Sequence, residues 1–335
     1  MARRTRRQRF LVSVTAPSPT FVRGLVLPAG QAPSLEAIED SLLTAVFDGE
    51  LSLLRRLPAV RPGWFMGDEA LVYRWTPPLV GGAGPVHPPV TVIIDAPARP
   101  MPTLDGSADT AAAWTLGAFG AGAAPGGLQR AASTTPAWEQ APRVVAEHAA
   151  MLRIRLSYSL GGGVSVPPDS RHRDTELALL TALALPLLEL PEVLGWFHAP
   201  GEALRSPAQV RRALRHARED GRFALELWSH TRAFEVGDDD GWAVYDTVGM
   251  PALGARDLEL CVRTAQLSPP DALRFIANLA LYTLAERDPF QSGHTAESPM
   301  GRIQAATRRR GFAAPPRKVV RWAPVGGRSR PVSII

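Results

Sequence analysis

LRIRLSY, residues 152–158, puts Leu152, Ile154, Leu156 and Tyr158 on one side of an extended chain and Arg153, Arg155 and Ser157 on the other. Alternation with period two marks a strand, because successive side chains leave a pleated backbone on opposite faces. Farther on the rhythm changes. DSRHRDTELALLTALALPLLEL, residues 169–190, carries Leu177, Leu180, Leu183 and Leu187 at helical spacing, with apolar residues around most of its circumference. A helix apolar nearly all round belongs in the middle of a core, and Pro186 should kink or end it.

Both patterns recur on either side. Upstream, residues 9–16 alternate through Phe10, Val12 and Val14, and Ser34 caps a helix with Leu35, Ile38, Leu42 and Val46 on one face. Ala70–Trp75 and Val90–Asp95 read as strands around the loop Pro77–Pro89. Residues 97–136 are rich in Gly, Ala and Pro, with a short helix expected near Ala108–Leu116, and Thr135-Pro136 opens another that runs to about His148. Downstream, a short strand is expected at Leu194–His198. Ser206-Pro207-Ala208-Gln209 then has the cap, proline and Gln of a capping box, in a helix that stops at Gly221. Phe223–Ser229, Trp242–Thr247 and Asp257–Thr264 read as strands, the first two joined by a turn at Gly237–Gly241. Ser268-Pro269 opens a last helix that ends before Asp288-Pro289. Strands and helices alternate without a regular βαβ rhythm, so the expected class is α+β, a mixed and mainly antiparallel sheet with packed helices.

Charge is divided unevenly along the chain. The net +5 hides five arginines in the first ten residues and nine basic residues with no acid after Met300, which leaves −9 in residues 11–300. The expected organisation is a basic N-terminal arm at 1–9, one α+β domain over 10–300 with a sub-boundary near 130–136 as the alternative, and a basic C-terminal tail at 301–335. Within that tail Arg308, Arg309, Arg310, Arg317, Lys318 and Arg321 are candidate binders of phosphate, since clustered arginine releases counterions from nucleic acid. The alternative is an end that is solvated or folds back onto the acidic body. Lys318 is the only lysine, so a coding preference for arginine raises the isoelectric point without implying nucleic acid, which is the less favoured partner. The apolar run after the first arginines is too short for an export signal, no stretch is long enough to span a membrane, and the expected compartment is the cytoplasm.

Motifs that carry chemistry are sparse. One cysteine, Cys261, excludes an internal disulfide, and the acids sharing its strand face argue for an inert, semi-exposed thiol. Neither the glycine cluster at 117–127 nor Gly161–Gly163 meets a phosphate-loop pattern. Asp238–Asp240 lacks the later ligands of a calcium loop and reads as a hairpin turn. The histidines show no metal-ligand spacing, so neither a metal nor another cofactor is expected. His148, His198, His230 and Glu226 would matter only if the fold brought two of them into one cleft.

A resemblance emerges from residues 172–285. The leucine-rich helix leading into LGWFHAPGEAL, then Leu225-Glu226-Leu227-Trp228, Thr247-Val248-Gly249-Met250-Pro251 with Asp257-Leu258-Glu259, and the helix of Asn278-Leu279-Ala280-Leu281-Tyr282 resemble the bacterial family known as domain of unknown function 4261. Weaker pieces at Pro125–Leu128 and His148 extend the resemblance over about 125–295. Ser292-Gly293-His294-Thr295 replaces the Gly-Asp-Thr-like element with which the family usually closes. The resemblance implies an α+β fold and transfers no activity. By association with small bacterial proteins of this kind, it points to an immunity-type or secretion-associated adaptor. The expected function is therefore a non-enzymatic cytoplasmic module that binds another protein, with Trp64, Trp75 and Trp196 as candidate contact aromatics. The alternatives are a hydrolase with an unrecognised site and nucleic-acid or anionic-surface binding through the basic ends.

Overall fold

The structure is a computed structural model that describes residues 20–57, 64, 69–77, 89–103, 106–135, 138–160, 173–236, 241–287 and 289–326. Its first half contains β1 (Arg23–Ala29), α1 (Leu35–Leu42), β2 (Glu50–Leu57), β3 (Ala70–Thr76), β4 (Val90–Asp95), α2 (Ala108–Thr115), α3 (Gly127–Ser133), α4 (Ala141–Glu147) and β5 (Ala150–Ser157). Then come α5 (Arg173–Leu187), β6 (Trp196–His198), β7 (Ala203–Arg205) and α6 (Pro207–Glu219). The remainder is β8 (His230–Glu235), β9 (Trp242–Val248), α7 (Met250–Leu253), β10 (Asp257–Arg263), α8 (Pro269–Ala285), β11 (Thr295–Ser298), β12 (Gly301–Arg308) and β13 (Val319–Pro324). These strands make two sheets, ordered β2-β3-β4-β5-β1-β6-β7 and β11-β12-β13-β10-β9-β8. Every pairing is antiparallel except β10 with β13, so the fold is α+β, in two sheets where one was expected. The strand expected at 9–16 and the turn at Asp238–Asp240 lie outside the described residues.

In the first sheet the alternation of β5 sorts side chains between two covered faces. Leu152, Ile154 and Leu156 join Leu25 and Leu27 of β1 beneath α1, α5 and α6. The opposite face, with Val26 and Met151, packs under α2, α3 and α4. Arg153 and Arg155 lie on that second face, fully buried, and both donate to Asp95 of β4, at 2.5 and 2.8 Å. Burial and the neighbouring Arg153 lower Arg155 to about 9, against the pull of Asp95. The interior strand β1, beside the central β5, was not visible in the sequence. It contains Gly24 and Pro28, both poor strand formers, and Gly24 is needed because a Cβ there would meet the backbone of Gly120 at 2.7 Å.

The second sheet includes residues that the charge pattern assigned to a tail. β12 forms a hairpin with β11, and β13 enters between β12 and β10, where Trp322 is fully buried. The basic end thus completes the sheet, and α8 covers its apolar face through Ile276 and Ala280. Phe223–Ser229, expected as a strand, is a loop with a 3-10 turn at Leu225–Leu227, and the strand begins at His230. The reason is packing. Leu225 enters the core of the second sheet while Leu227 and Trp228 enter that of the first, so their apolar spacing serves two cores and no ladder.

Candidate functional site

The seam between the sheets is made by close backbone approach. Gly201, after β6, and Gly249, after β9, face each other: a Cβ on Gly249 would lie 2.5 Å from Gly201 Cα, and one on Gly201 would lie 2.0 Å from the Trp228 carbonyl oxygen. Hydrogen bonds stitch the same region. His198 Nδ1 donates to the Trp228 carbonyl (2.7 Å), and Ser229 Oγ donates to the Val248 carbonyl (3.0 Å).

Beside the seam the strand register lines up a row of charges. Arg232 of β8 stands opposite Asp246 of β9, Asp246 opposite Glu259 of β10, and Glu259 opposite Arg321 of β13. All four are buried. Arg232 forks onto both Asp246 oxygens at 2.9 and 2.7 Å, and Arg321 Nε donates to Glu259 at 2.8 Å. Two adjacent carboxylates would repel each other. Arg317 lies over them from the loop before β13, 2.5 Å from Asp246 and 3.2 Å from Asp257. Burial works against the charge on Arg317, but Asp246 and Asp257 outweigh it and raise its pKa. Burial pushes Asp257 up to about 7, with Arg317 and the Met250 N–H pulling down. The row reaches the first sheet through Glu202, which accepts from Arg130 of α3 (2.5 Å) and Arg232 (3.3 Å). Glu202 holds a left-handed backbone, φ +46°, and burial raises its carboxyl.

The candidate residues fall into distinct places. Arg317 and Arg321 are spent on this internal row, the fold-back alternative for the basic end. Arg309, Arg310 and Lys318 are exposed and Arg308 is half-buried. Trp75 and Trp196 are core residues, at 1% and 0% exposure, with indole N–H groups donating to the Asp48 and Leu227 carbonyls. Trp64 is half-buried beneath the Arg99 guanidinium, 4.0 Å from its ring centre. Cys261 is fully buried where a semi-exposed thiol was expected, because both faces of β10 are covered.

Of the four scattered acid–base candidates, Glu226 and His230 line one cavity of about 300 Å³ with Arg205 and Arg212. His148 caps α4 elsewhere, its Nδ1 donating to the Val145 carbonyl at 2.8 Å. Burial, with Arg205 nearby, lowers His230 to about 3, while backbone groups of Glu202 and Thr134 pull the other way. An imidazole so tuned stays neutral near pH 7 and is a poor proton acceptor. Sequence spacing did not disclose this cavity, since its walls come from four separate segments.

A larger apolar groove opens on the other side of α6. It has a volume of about 490 Å³ and is lined by Leu177, Ala178 and Leu185 of α5, Leu214 and Ala217 of α6, and Phe223. Val46, 89% exposed, stands at its rim, and Leu43 in the same loop is 82% exposed. A second hollow of about 340 Å³ shares Asp174, Arg222 and Phe223 with the groove and continues to Leu281 and Leu284 of α8. Charged groups line its edge: Arg218 of α6 and Arg222 just beyond it, with Asp174 of α5; Arg222 pairs with Asp220 at 3.4 Å and Arg211 with Glu189, while Arg215 is exposed on α6. α6 stands ready to carry them: Ser206 and Gln209 form the reciprocal capping box read from the sequence, and only Val210 and Ala213 are buried.

The chain is thus an α+β protein with two helix-covered sheets, a buried charge row beside their seam and an apolar groove between α5 and α6. Against models of known protein families, residues 246–323 match the family described as domain of unknown function (DUF4261). The match runs from Asp246 to Ala323 and contains Asp246, Asp257, Glu259, Arg317 and Arg321. It overlaps the resemblance read over 125–295 and continues through β12 and β13. No curated protein and no solved structure matches the chain. No helix among the described residues is long and apolar enough to cross a membrane.

Proposed function

We propose that this chain is a cytoplasmic protein-binding module, of the kind expected of an immunity-type or secretion-associated adaptor, that seats an acidic amphipathic helix of its partner in the α5–α6 groove. The observation that carries this reading is the pairing of an open apolar floor with Arg218 and Arg222 at its edge and Arg215 exposed on α6. An apolar groove between helices suits leucine side chains spaced along one face of a partner helix. The charges say which helix. Arg218 and Arg222 favour glutamate on the flanks and repel lysine, which contributes selectivity more than raw affinity.

The test uses two designed peptides of identical leucine pattern, one with glutamate and one with lysine at every flanking position, titrated calorimetrically into the full chain. The glutamate peptide is expected to bind at on the order of 10 μM and to weaken with salt. Ala178→Glu, at an exposed groove position, is expected to lower that affinity at least about tenfold, the equivalent of ~1.4 kcal/mol. Equal binding of both peptides, binding of neither, or full binding by Ala178→Glu overturns the proposal. Concentration-dependent dimerisation abolished by Ala178→Glu would also overturn it, giving the groove to a second copy.

A further inference from the structure

The cavity beyond α6 is a separate feature, and its charged groups distinguish it from the groove. It lies among the end of α3, the first turns of α6, the entry to β8 and the flank of α8, where Leu273 and Ala277 form an apolar wall. Three charged groups line it: Arg205, Arg212 and Glu226.

Arg205 is the telling residue. It ends β7, its side chain is partly buried, and its Nη1 donates to the carbonyl of the preceding Leu204 at 2.7 Å. Among the described residues that is the hydrogen bond it makes, although a guanidinium offers five donors. Burial weakens its hold on the proton, and the nearby charge of Glu226 only partly restores it. The buried arginines of this chain are treated differently: Arg153, Arg155, Arg232 and Arg321 each donate to a carboxylate at 3.0 Å or less. The Arg205 guanidinium, half-buried and with no carboxylate taking its donors among the described residues, leaves them available to an oxyanion. Arg212, exposed on the first turns of α6, supplies a second positive charge, and the half-buried Thr231 supplies a hydroxyl. His230 forms part of the wall, with Nδ1 donating to the Glu202 carbonyl at 2.9 Å.

We propose that this cavity binds a small oxyanion, a carboxylate or phosphate group, through Arg205 and Arg212, with Glu226 opposing any second negative charge on the ligand. A volume near 300 Å³ suits a small molecule better than a polymer, and the Leu273–Ala277 wall takes its apolar part. This binding is independent of the groove, whose lining residues it does not share.

The experiment follows thermal unfolding and calorimetric binding of the full chain at constant ionic strength, titrated with inorganic phosphate, with acetate, and with chloride as the control. Saturable stabilisation by phosphate or acetate beyond chloride is expected, and whichever binds more tightly identifies the anionic group. Arg212→Ala, at an exposed position, should weaken that anion about tenfold, as should Arg205→Met. Glu226→Gln should tighten binding about threefold by removing the opposing charge. No saturable effect beyond chloride, or an Arg212→Ala protein that binds as the parent does, overturns the proposal. Ala178→Glu should leave this binding unchanged, so failure of one proposal is distinguishable from failure of the other.

Discussion

Asp246 receives Arg232 and Arg317 at once, and it does so away from water. Such a residue holds two guanidiniums in place, and its removal leaves Arg232 to Glu202 at 3.3 Å and Arg317 to Asp257 at 3.2 Å. Asp246→Ala is expected to destabilise the chain by about 3–5 kcal/mol, read by chemical denaturation, the usual cost of breaking a buried pair on one side. His198 provides the pH dependence. Burial lowers it to about 3, with the Trp228 carbonyl pulling up and Arg23 adding to the fall. Its native form is therefore neutral where the unfolded chain, with an ordinary value near 6.5, takes up a proton. The unfolded state binds more protons, so this group's contribution is complete above about pH 7 and is lost as the pH falls toward 3. Between pH 7 and pH 5 the loss is about 2 kcal/mol. Asp257, raised by burial, slopes the other way, so the difference between the parent and His198→Gln isolates the histidine. That difference should shrink by about 2 kcal/mol over this interval, and a constant difference would contradict the assignment. None of these partnerships was legible in the sequence. Arg317 and Arg321 counted there as tail charges, because the register that pairs them joins β9, β10 and β13, far apart along the chain.

Elements were read best where their signal is local. Val90–Asp95 reads as a strand-like run and is a strand with those bounds, while Ser206 and Ser268 cap α6 and α8 as their spacing requires. Ser206→Ala should cost α6 about 1 kcal/mol by freeing the Gln209 N–H, measurable as a lowered denaturation midpoint. α1 stopped sooner than its apolar spacing suggested: it ends at Leu42, leaving Val46 exposed beside the groove. The elements that were missed answer to distant partners. β1 tolerates Gly24 and Pro28 because β5 and β6 pair on either side of it, and Leu225–Leu227 becomes a 3-10 turn because two cores claim it. The same logic makes Gly201 intolerant of any side chain. Gly201→Ala would set a Cβ against the Trp228 carbonyl and drive the sheets apart at their seam. A loss of about 3 kcal/mol or more is expected in denaturant, and a near-neutral result would refute the close contact.

At the scale of the whole molecule, the division into an acidic body and a basic end describes two parts of one folded unit. The end supplies β12 and β13, and β13 lies between β10 and β12 within the sheet. A chain ending at Met300 should therefore lose Trp322 from the core and leave Asp246, Asp257 and Glu259 without Arg317 and Arg321. It is expected to be insoluble or to lack a cooperative thermal transition. A soluble truncated chain that melts like the parent would restore the picture of a detachable tail. The groove lies outside this sheet, in the helices over the first, so the proposed recognition assigns the partner to α5 and α6 and leaves the charge row to hold the fold. That reading rests on sign as much as on shape, and a charge exchange tests it most directly. The affinities of the glutamate and lysine peptides would be measured for the parent and for Arg218→Glu/Arg222→Glu. The account predicts that the double variant loses the glutamate peptide and gains its lysine twin. Unchanged preference after the exchange would contradict it.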